Sequence, residues 1–207
     1  AQFNPAIDLN AWSDENYRRR QPTRGVWRVS NDAESVVEIR HSEPSVFYSD
    51  FELDGQTLEF NVTVTDTYDD DFFGFVLGFE PGDFSDAQAD YLLMDWKQGY
   101  QENWGAVAGP GLAVSRISGR PDSQADFWGH DGRVDELARA QTLGDTGWQT
   151  GVEHQFSIQY STQRLLVYVD GQLQFDLEAP ANDPFPAGRI GFYAFSQRSI
   201  EFGFPAP

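Results

Sequence analysis

The chain lacks cysteine altogether, so none of its 207 residues carries a thiol. This absence excludes cysteine-ligated zinc sites, iron–sulfur clusters, thiol catalysis and disulfide bonds. It says little about the compartment, because a chain of this length can bury a core large enough to fold without disulfides.

Basic residues are scarce and long apolar runs are missing. Lys and Arg number 14 against 33 Asp and Glu, a formal net charge of −19. Such a polyanion repels nucleic acid and anionic membranes and favours cations such as metal ions, although plain solubility is an alternative explanation. No apolar run approaches the roughly 20 residues of a membrane span, and no signal peptide is recognisable. We therefore expect no nucleic-acid partner and no direct membrane insertion.

Alternation of apolar and polar residues dominates the chain. Residues 57–64 alternate after an Asp-Gly dipeptide at 54–55, and residues 164–178 alternate on both sides of a second Asp-Gly at 170–171. Alternation is typical of half-buried strands, and Asp-Gly is a preferred two-residue hairpin turn. These segments predict antiparallel hairpins.

Two further segments refine this prediction. FFGFVLGF (72–79) is apolar apart from its glycines, which predicts a central strand covered on both faces, with Gly74 and Gly78 where another group approaches closely. RVDELARAQTL (133–143) predicts the single short helix. Because no internal repeat or long linker occurs, we expect one domain over residues 1–207. Its expected fold class is all-β, an antiparallel β-sandwich.

Four segments resemble the C-terminal lectin-like domain of the thrombospondins, in the same order and at similar spacing. They are DDDFFGFVLGF (69–79), YLLMDWKQGYQENW (91–104), GLAVSRISG (111–119) and GRIGFYAFSQRSIEF (188–202). The resemblance covers roughly residues 26–204. It implies a jelly-roll sandwich of the lectin and glucanase type, a calcium cofactor, a role in adhesion, and an extracellular or cell-surface location.

Two departures from the family pattern stand out. The loop over residues 81–90 is longer than in the family and adds three aspartates, and Asp95 interrupts the Met-Trp-Lys-Gln motif. Together with the missing cysteines, these departures imply a bacterial relative in a surface adhesin or a secreted protein.

The first candidate metal group lies just before the apolar strand and comprises Asp66, Asp69, Asp70 and Asp71. Calcium takes about 6–8 oxygen ligands, often from loop carboxylates. Alternate residues of an extended chain share a side, so Asp69 and Asp71 could hold one ion while Asp70 faces another ion or solvent. With the family resemblance these residues are predicted to bind calcium; a solvated acidic turn is the alternative.

A second acidic group follows the same strand. Its members are Asp83, Asp86, Asp90 and Asp95. An eight-residue strand spans about 26 Å. We therefore expect the two groups to form separate metal sites at opposite ends of that strand.

Aromatic residues in the middle of the chain are candidate ligand contacts. The predicted ligand-binding residues are Tyr100, Trp104, Trp128, His130 and Asp131. An exposed ring beside calcium can hold a sugar ring or a peptide side chain. The alternative is that the tryptophans pack in the core.

Catalytic patterns typical of this sandwich class are missing. Retaining glycosidases need two carboxyls about 5–5.5 Å apart, which the glucanases of this class supply in an E-x-D-x-x-E pattern that does not occur here. We therefore expect a monomeric, non-catalytic module that binds a glycan or peptide on another cell or surface in the presence of calcium. Capture of a peptide carboxylate, a purely structural calcium-stiffened domain and a glycoside hydrolase are the alternatives.

Overall fold

The structure, a computed structural model, describes residues 7–17 and 23–205. Its strands are β1 (Ser13–Asn16), β2 (Trp27–Val29), β3 (Ser35–Glu38), β4 (Ser45–Leu53), β5 (Thr57–Val64), β6 (Phe72–Phe79), β7 (Asp90–Lys97), β8 (Gln101–Asn103), β9 (Ala106–Ala108), β10 (Gly111–Ser118), β11 (Val134–Arg139), β12 (His154–Tyr160), β13 (Arg164–Val169), β14 (Gln172–Glu178), β15 (Gly188–Phe195) and β16 (Ile200–Gly203). The α-helix α1 spans Gln124–Gly129, and short 3₁₀ turns cover Leu9–Ala11 and Asp83–Ser85.

Two seven-stranded antiparallel sheets form a sandwich. The first sheet has the order β1-β4-β15-β6-β7-β10-β11, and the second has the order β14-β13-β12-β5-β16-β3-β2. The small hairpin β8–β9 stands outside both sheets. The predicted all-β jelly-roll sandwich is confirmed.

The first sheet is covered on both faces. Its inner face packs against the second sheet, where Phe75 and Phe192 meet Phe60 and Phe156. A second hydrophobic cluster lies on its outer face. This outer cluster joins sheet residues to side chains of α1, of the loop after β6, and of β9. The segments over residues 80–89, 98–110 and 119–133 therefore act as a third layer.

Strand β6 is buried on both faces, by the inner hydrophobic cluster on one side and by the outer cluster on the other. All eight of its residues are buried, as the uninterrupted apolar run predicted. Gly74 lies against the neighbouring strand so closely that a Cβ atom would collide with the Met94 carbonyl. Gly78 adopts a positive φ of 69° beside Pro186 and Tyr160. Both glycines stand where close approaches were expected.

One of the two predicted hairpins is confirmed, and the other is wrong. Residues 54–56 do turn the chain, with Gly55 at φ 88°, but they join β4 of the first sheet to β5 of the second, so the two strands do not pair. Asp170 and Gly171 join β13 to β14 with φ values of 51° and 81°, both positive as a type I′ turn requires.

The predicted helix at 133–143 is wrong. Val134–Arg139 forms strand β11, which pairs with β10 across a bulge between Val114 and Ser115. Leu, Ala, Arg and Glu favour helices only weakly, and pairing with β10 overrides that preference. The helix lies earlier, at Gln124–Gly129, and is too short to be recognised from periodicity. Within the described ranges, no helix is long and apolar enough to cross a bilayer.

Candidate metal and ligand site

The first acidic group lies in the loop between β5 and β6, at one end of the sandwich. The backbone carbonyl of Asp70 accepts a hydrogen bond from the Gln98 amide (3.2 Å). The Asp71 amide donates to Gln197 Oε1 (2.8 Å), and its carbonyl accepts from the indole of Trp148 (2.9 Å). The loop is thereby fixed to the segments that follow β7 and β15.

A lysine is the cation that faces Asp70 and Asp71. Lys97 is the only lysine in the chain and its side chain is 1% exposed. Its Nζ lies 2.7 Å from the Asp70 carbonyl oxygen, 3.3 Å from Asp70 Oδ1 and 3.1 Å from Asp71 Oδ1. It also stands 5.0 Å from the ring centroid of Trp128, a cation–π distance. Two of the four carboxylates predicted to bind calcium are thus paired within the protein.

Asp71 is the more deeply buried of the two carboxylates that face Lys97. Burial raises its pKa, because a desolvated carboxylate is disfavoured, while the ammonium of Lys97 opposes that rise. Gln101, with its amide nitrogen turned toward the carboxylates, donates to Asp71 Oδ1 at 2.9 Å.

Asp66 and Asp69 form a different constellation with His41. One ligand atom from each of the three side chains lies within 4.8 Å of the other two, and no other such group of His and acidic residues occurs in the described part of the chain. Asp69 contacts His41 Nδ1, which lies 3.2 Å from the Ser196 carbonyl. Asp66 accepts hydrogen bonds from the Tyr68 amide (3.1 Å) and from Arg198 Nε (3.3 Å).

The pKa of Asp69 is raised chiefly by burial. The positive charge of a protonated His41 lowers it, whereas the negative charge of Asp66 raises it. A divalent cation between Asp66 and Asp69 would remove that repulsion. These two carboxylates fit the oxygen preference of calcium, while the His41 imidazole is a ligand for zinc and similar metals.

The second acidic group does not converge on one point. Asp83 Oδ2 accepts from the Glu80 amide (2.8 Å), and Asp86 Oδ1 accepts from the Gln88 amide (2.8 Å). Asp90 forms a bidentate pair with Arg116, with both contacts at 2.9 Å. Each carboxylate therefore has its own partner. Asp83, Asp86 and Asp90 lie at the opposite end of β6 from the first group, whereas Asp95, opposite Gly74, lies near the same end as the first group.

Asp95 is buried in the outer cluster and binds the predicted ligand residue His130. His130 Nε2 lies 2.9 Å from Asp95 Oδ2, and its Nδ1 lies 2.9 Å from Glu136 Oε1. Burial alone would lower the pKa of His130, but the carboxylates of Asp95 and Glu136 raise it to about 10. His130 is therefore a charged bridge between α1 and the first sheet.

The five predicted ligand residues divide by exposure. Tyr100 is 67% exposed and Trp104 46% exposed, and Asp131 is exposed as well. Trp128 is 1% exposed, and the side chain of His130 is 8% exposed. Trp128 and His130 thus offer little surface to a ligand, because the third layer encloses both.

Trp104 is held in an unusual backbone conformation. It occupies the first position of the turn between β8 and β9 with φ 50°, followed by Gly105 with φ 77°. A bulky residue at positive φ is strained. Its ring stacks on Phe195 (6.0 Å, 8°) and meets Trp128 edge-on (5.3 Å). The turn therefore presents a rigid indole at the surface.

Sequence reasoning did not assign three residues to this end of the molecule. Tyr68, between the two acidic positions 66 and 69, is 85% exposed. His41 and Arg198 reach the carboxylates from distant parts of the chain. The exposed tyrosine within an acidic loop was a visible signal, whereas nothing in the local sequence marks His41 or Arg198.

Comparison with known proteins identifies the family of this chain. The family model described as thrombospondin C-terminal region matches residues 22–204. The chain belongs to this family. Thrombospondin-4 of Xenopus laevis is 27% identical over 188 residues, which cover 84% of this chain and 19% of the relative. This thrombospondin C-terminal region thus spans about a fifth of the curated relatives it matches.

Solved structures confirm the fold. The carbohydrate binding module CBM66 from Bacillus subtilis superposes with a TM-score of 0.61 at 12% identity, covering 94% of this chain and 92% of that one. The exoplasmic/lumenal domain of VIP36, solved in a Ca²⁺/Man3GlcNAc-bound form, superposes with a TM-score of 0.51 at 13% identity, covering 95% and 85%. At these identities the likeness shows the fold alone.

Proposed function

We propose that this thrombospondin C-terminal region is a calcium-binding, non-catalytic module that binds a glycan outside the cell. The observation that carries the proposal is the pair of facing carboxylates of Asp66 and Asp69, with the exposed ring of Tyr68 between them in sequence. Two further exposed rings, those of Tyr100 and Trp104, belong to the segment after β7, which hydrogen-bonds the Asp70 carbonyl of the same acidic loop. Family membership supports it, as does the likeness in fold to the exoplasmic/lumenal domain of VIP36, which was solved in a Ca²⁺/Man3GlcNAc-bound form.

Asp66 and Asp69 are the proposed calcium ligands, a narrower set than the sequence predicted. Lys97 already neutralises Asp70 and Asp71, so these two would hold the loop rather than the ion. Calcium would replace the His41 imidazole as the partner of Asp69. When bound, calcium would supply a cation that neutralises the two carboxylates and offers coordination positions to ligand oxygens.

A glycan is the preferred ligand class for two reasons. Exposed aromatic rings stack on sugar rings, and calcium accepts neutral oxygen ligands as well as carboxylates. A peptide carboxylate, the alternative ligand, would use the same calcium ion or a nearby arginine, and the nearby Arg198 is already paired with Asp66.

The proposal also places the domain in a larger bacterial adhesin on the cell surface. The longer loop at 81–90 supports this placement, since it departs from the thrombospondin pattern. The proposed role is non-catalytic because the E-x-D-x-x-E pattern of the glucanases of this sandwich class does not occur. Glu80 has an acidic neighbour in Glu52, but this pair is not part of such a pattern.

Thermal unfolding with calcium and then with excess chelator, at fixed ionic strength, tests the metal site. Calcium bound only to the folded state adds about 4 kcal/mol at a thousandfold excess over Kd. We expect Asp69→Asn to lose most of that gain, whereas Asp86→Asn, a matched change in an exposed turn, keeps it. An equal gain with magnesium, or an unchanged gain in Asp69→Asn, would contradict the site.

Two further measurements separate the alternatives. His41→Ala should leave calcium affinity within about threefold, whereas a zinc site would lose about tenfold or more in affinity with the imidazole.

A glycan array probed in calcium and in chelator should show calcium-dependent binding that Trp104→Ala removes. Calcium binding without array signal would favour a peptide ligand or a purely structural ion.

A further inference from the structure

A second ligand-sized groove lies at the far end of β7 from the proposed calcium site. It has a volume of about 630 Å³ and is bordered by β11, the edge strand of the first sheet, and by β14, the edge strand of the second. The residues between Asp90 and Lys97 separate the two sites by about 20 Å along the strand. The groove therefore belongs to neither the calcium site nor the exposed aromatic rings.

The groove is closed at both ends and open between them. At one end the Gln141 amide donates to the Gln174 carbonyl (3.0 Å), which joins the two sheet edges. At the other end Arg116 pairs with Asp183 (3.2 Å) and donates to the Pro184 carbonyl (3.0 Å). These contacts form a fixed channel between two strands.

The floor of the channel is apolar. Leu137 of β11 is 42% exposed, one of the few large apolar side chains so exposed among the described residues. Half-buried Leu177 and buried Phe185 continue the apolar surface across to β14 and the loop after it.

The rim of the channel is acidic. It carries four carboxylates, those of Asp90, Asp135, Glu178 and Asp183, against one guanidinium, that of Arg116. Arg116 neutralises Asp90 and Asp183, and no ion pair among the described side chains involves Asp135 or Glu178. Arg164, opposite Glu178 on β13, is paired with Asp176 (2.8 Å).

The spacing of these carboxylates disfavours a metal ion. The only described group whose ligand atoms converge closely enough to hold one is His41, Asp66 and Asp69. Carboxylates spread along an apolar channel instead match several separate positive charges on one elongated partner. The free edge of β11, which pairs only with β10 in the described sheet, offers backbone groups to such a partner.

We propose that this channel binds an extended cationic peptide segment of a partner protein. The segment adds a strand to the edge of β11, as in other strand-addition complexes. Asp135 and Leu137 line the same side of β11, so the segment presents both kinds of side chain to the channel: apolar ones cover Leu137 and Leu177, and Lys or Arg side chains reach Asp135 and Glu178. Charge complementarity with the rim selects this partner over neutral or acidic peptides.

Fluorescence anisotropy with a labelled Val-Val-Lys-Lys repeat peptide, which turns both valine and lysine toward the channel, tests the proposal, with a Val-Val-Glu-Glu repeat peptide as the probe control. Replacing Asp135→Asn and Glu178→Gln together should weaken binding by about tenfold. The matched double variant Asp50→Asn with Glu59→Gln removes two exposed charges elsewhere and should change binding by less than about twofold. Melting temperatures of both variants establish that they fold.

Two results would overturn the proposal. Equal weakening in both double variants would show diffuse attraction to a chain of charge −19 rather than a site. Unchanged binding in Leu137→Asn, compared with Val152→Asn at another exposed apolar position, would show that the channel floor is not used. Backbone amide NMR shifts confined to residues 134–139 and 172–185 are expected on peptide addition, and shifts elsewhere would contradict the location.

Discussion

The two acidic regions before and after β6 differ in how the negative charge of their carboxylates is compensated. After the strand, each aspartate has its own partner, such as a backbone amide for Asp83 or a guanidinium for Asp90. Before the strand, the carboxylates lie side by side and share a few cations, with one buried ammonium between Asp70 and Asp71. A run of aspartates in sequence therefore does not distinguish local capping from a shared cation site; only the spatial arrangement does.

Removing the buried ammonium should give the largest change. Lys97→Met keeps the apolar stem but leaves Asp70 and buried Asp71 without their cation, so we expect a loss of about 3–5 kcal/mol in unfolding free energy. Urea denaturation measures it. Arg24→Met, which breaks the exposed pair with Asp14, should cost less than about 1 kcal/mol. A similar small loss for both would refute the view that Lys97 holds the loop.

Removing the charge of His130 should give the second-largest loss of unfolding free energy. His130→Gln leaves Asp95 and Glu136 without their shared cation and should cost about 3 kcal/mol at neutral pH. Because folding raises the pKa of His130 from 6.5 to about 10, its stabilisation is complete below pH 6.5 and is lost as pH rises through 10. Unfolding curves of parent and variant should therefore converge in alkaline buffer. A constant difference would show that the bridge acts by packing alone.

The smallest effect should come from Asp83, whose side chain accepts a hydrogen bond from the Glu80 amide. Folding raises the pKa of Asp83 from 3.8 to about 6, mainly through burial, so its charge costs stability as pH rises through that interval. Asp83→Asn keeps a side-chain oxygen for the Glu80 amide and should stabilise the protein by about 1 kcal/mol at pH 7 and by nothing near pH 3. Guanidinium denaturation at both pH values measures this, with exposed Asp50→Asn as the control. Stabilisation that persists near pH 3 would rule out the charge as its cause.

Most of the fold could be predicted from local patterns. Alternating residues predicted strands β5, β13 and β14, and the Asp-Gly pairs predicted the turns beside them. The apolar run predicted β6 as a strand that is covered on both faces. These features are local because side-chain alternation and turn conformation depend on neighbouring residues. Strand β11 was missed because it is an exposed edge strand with no alternation, and only its pairing with β10 makes it a strand.

The candidate site was predictable only in part. The acidic loop and the exposed Tyr100 and Trp104 were visible in sequence, but the burial of Trp128 was not. That burial depends on the third layer, which α1 and the β8–β9 hairpin build over the first sheet. No sequence rule indicated that a single α-helix of six residues would enclose a tryptophan.

The sequence by itself determined a cysteine-free, strongly acidic sandwich whose central strand is buried on both faces, since composition and periodicity are properties of the chain alone. Only the tertiary structure decided which cation meets which carboxylate. Lys97 reaches Asp71 across 26 residues, and His41 reaches Asp69 across 28. Such pairings form because burial of the two hydrophobic clusters brings together strands and loops that are distant in sequence. The residues next to each partner in sequence therefore do not predict them.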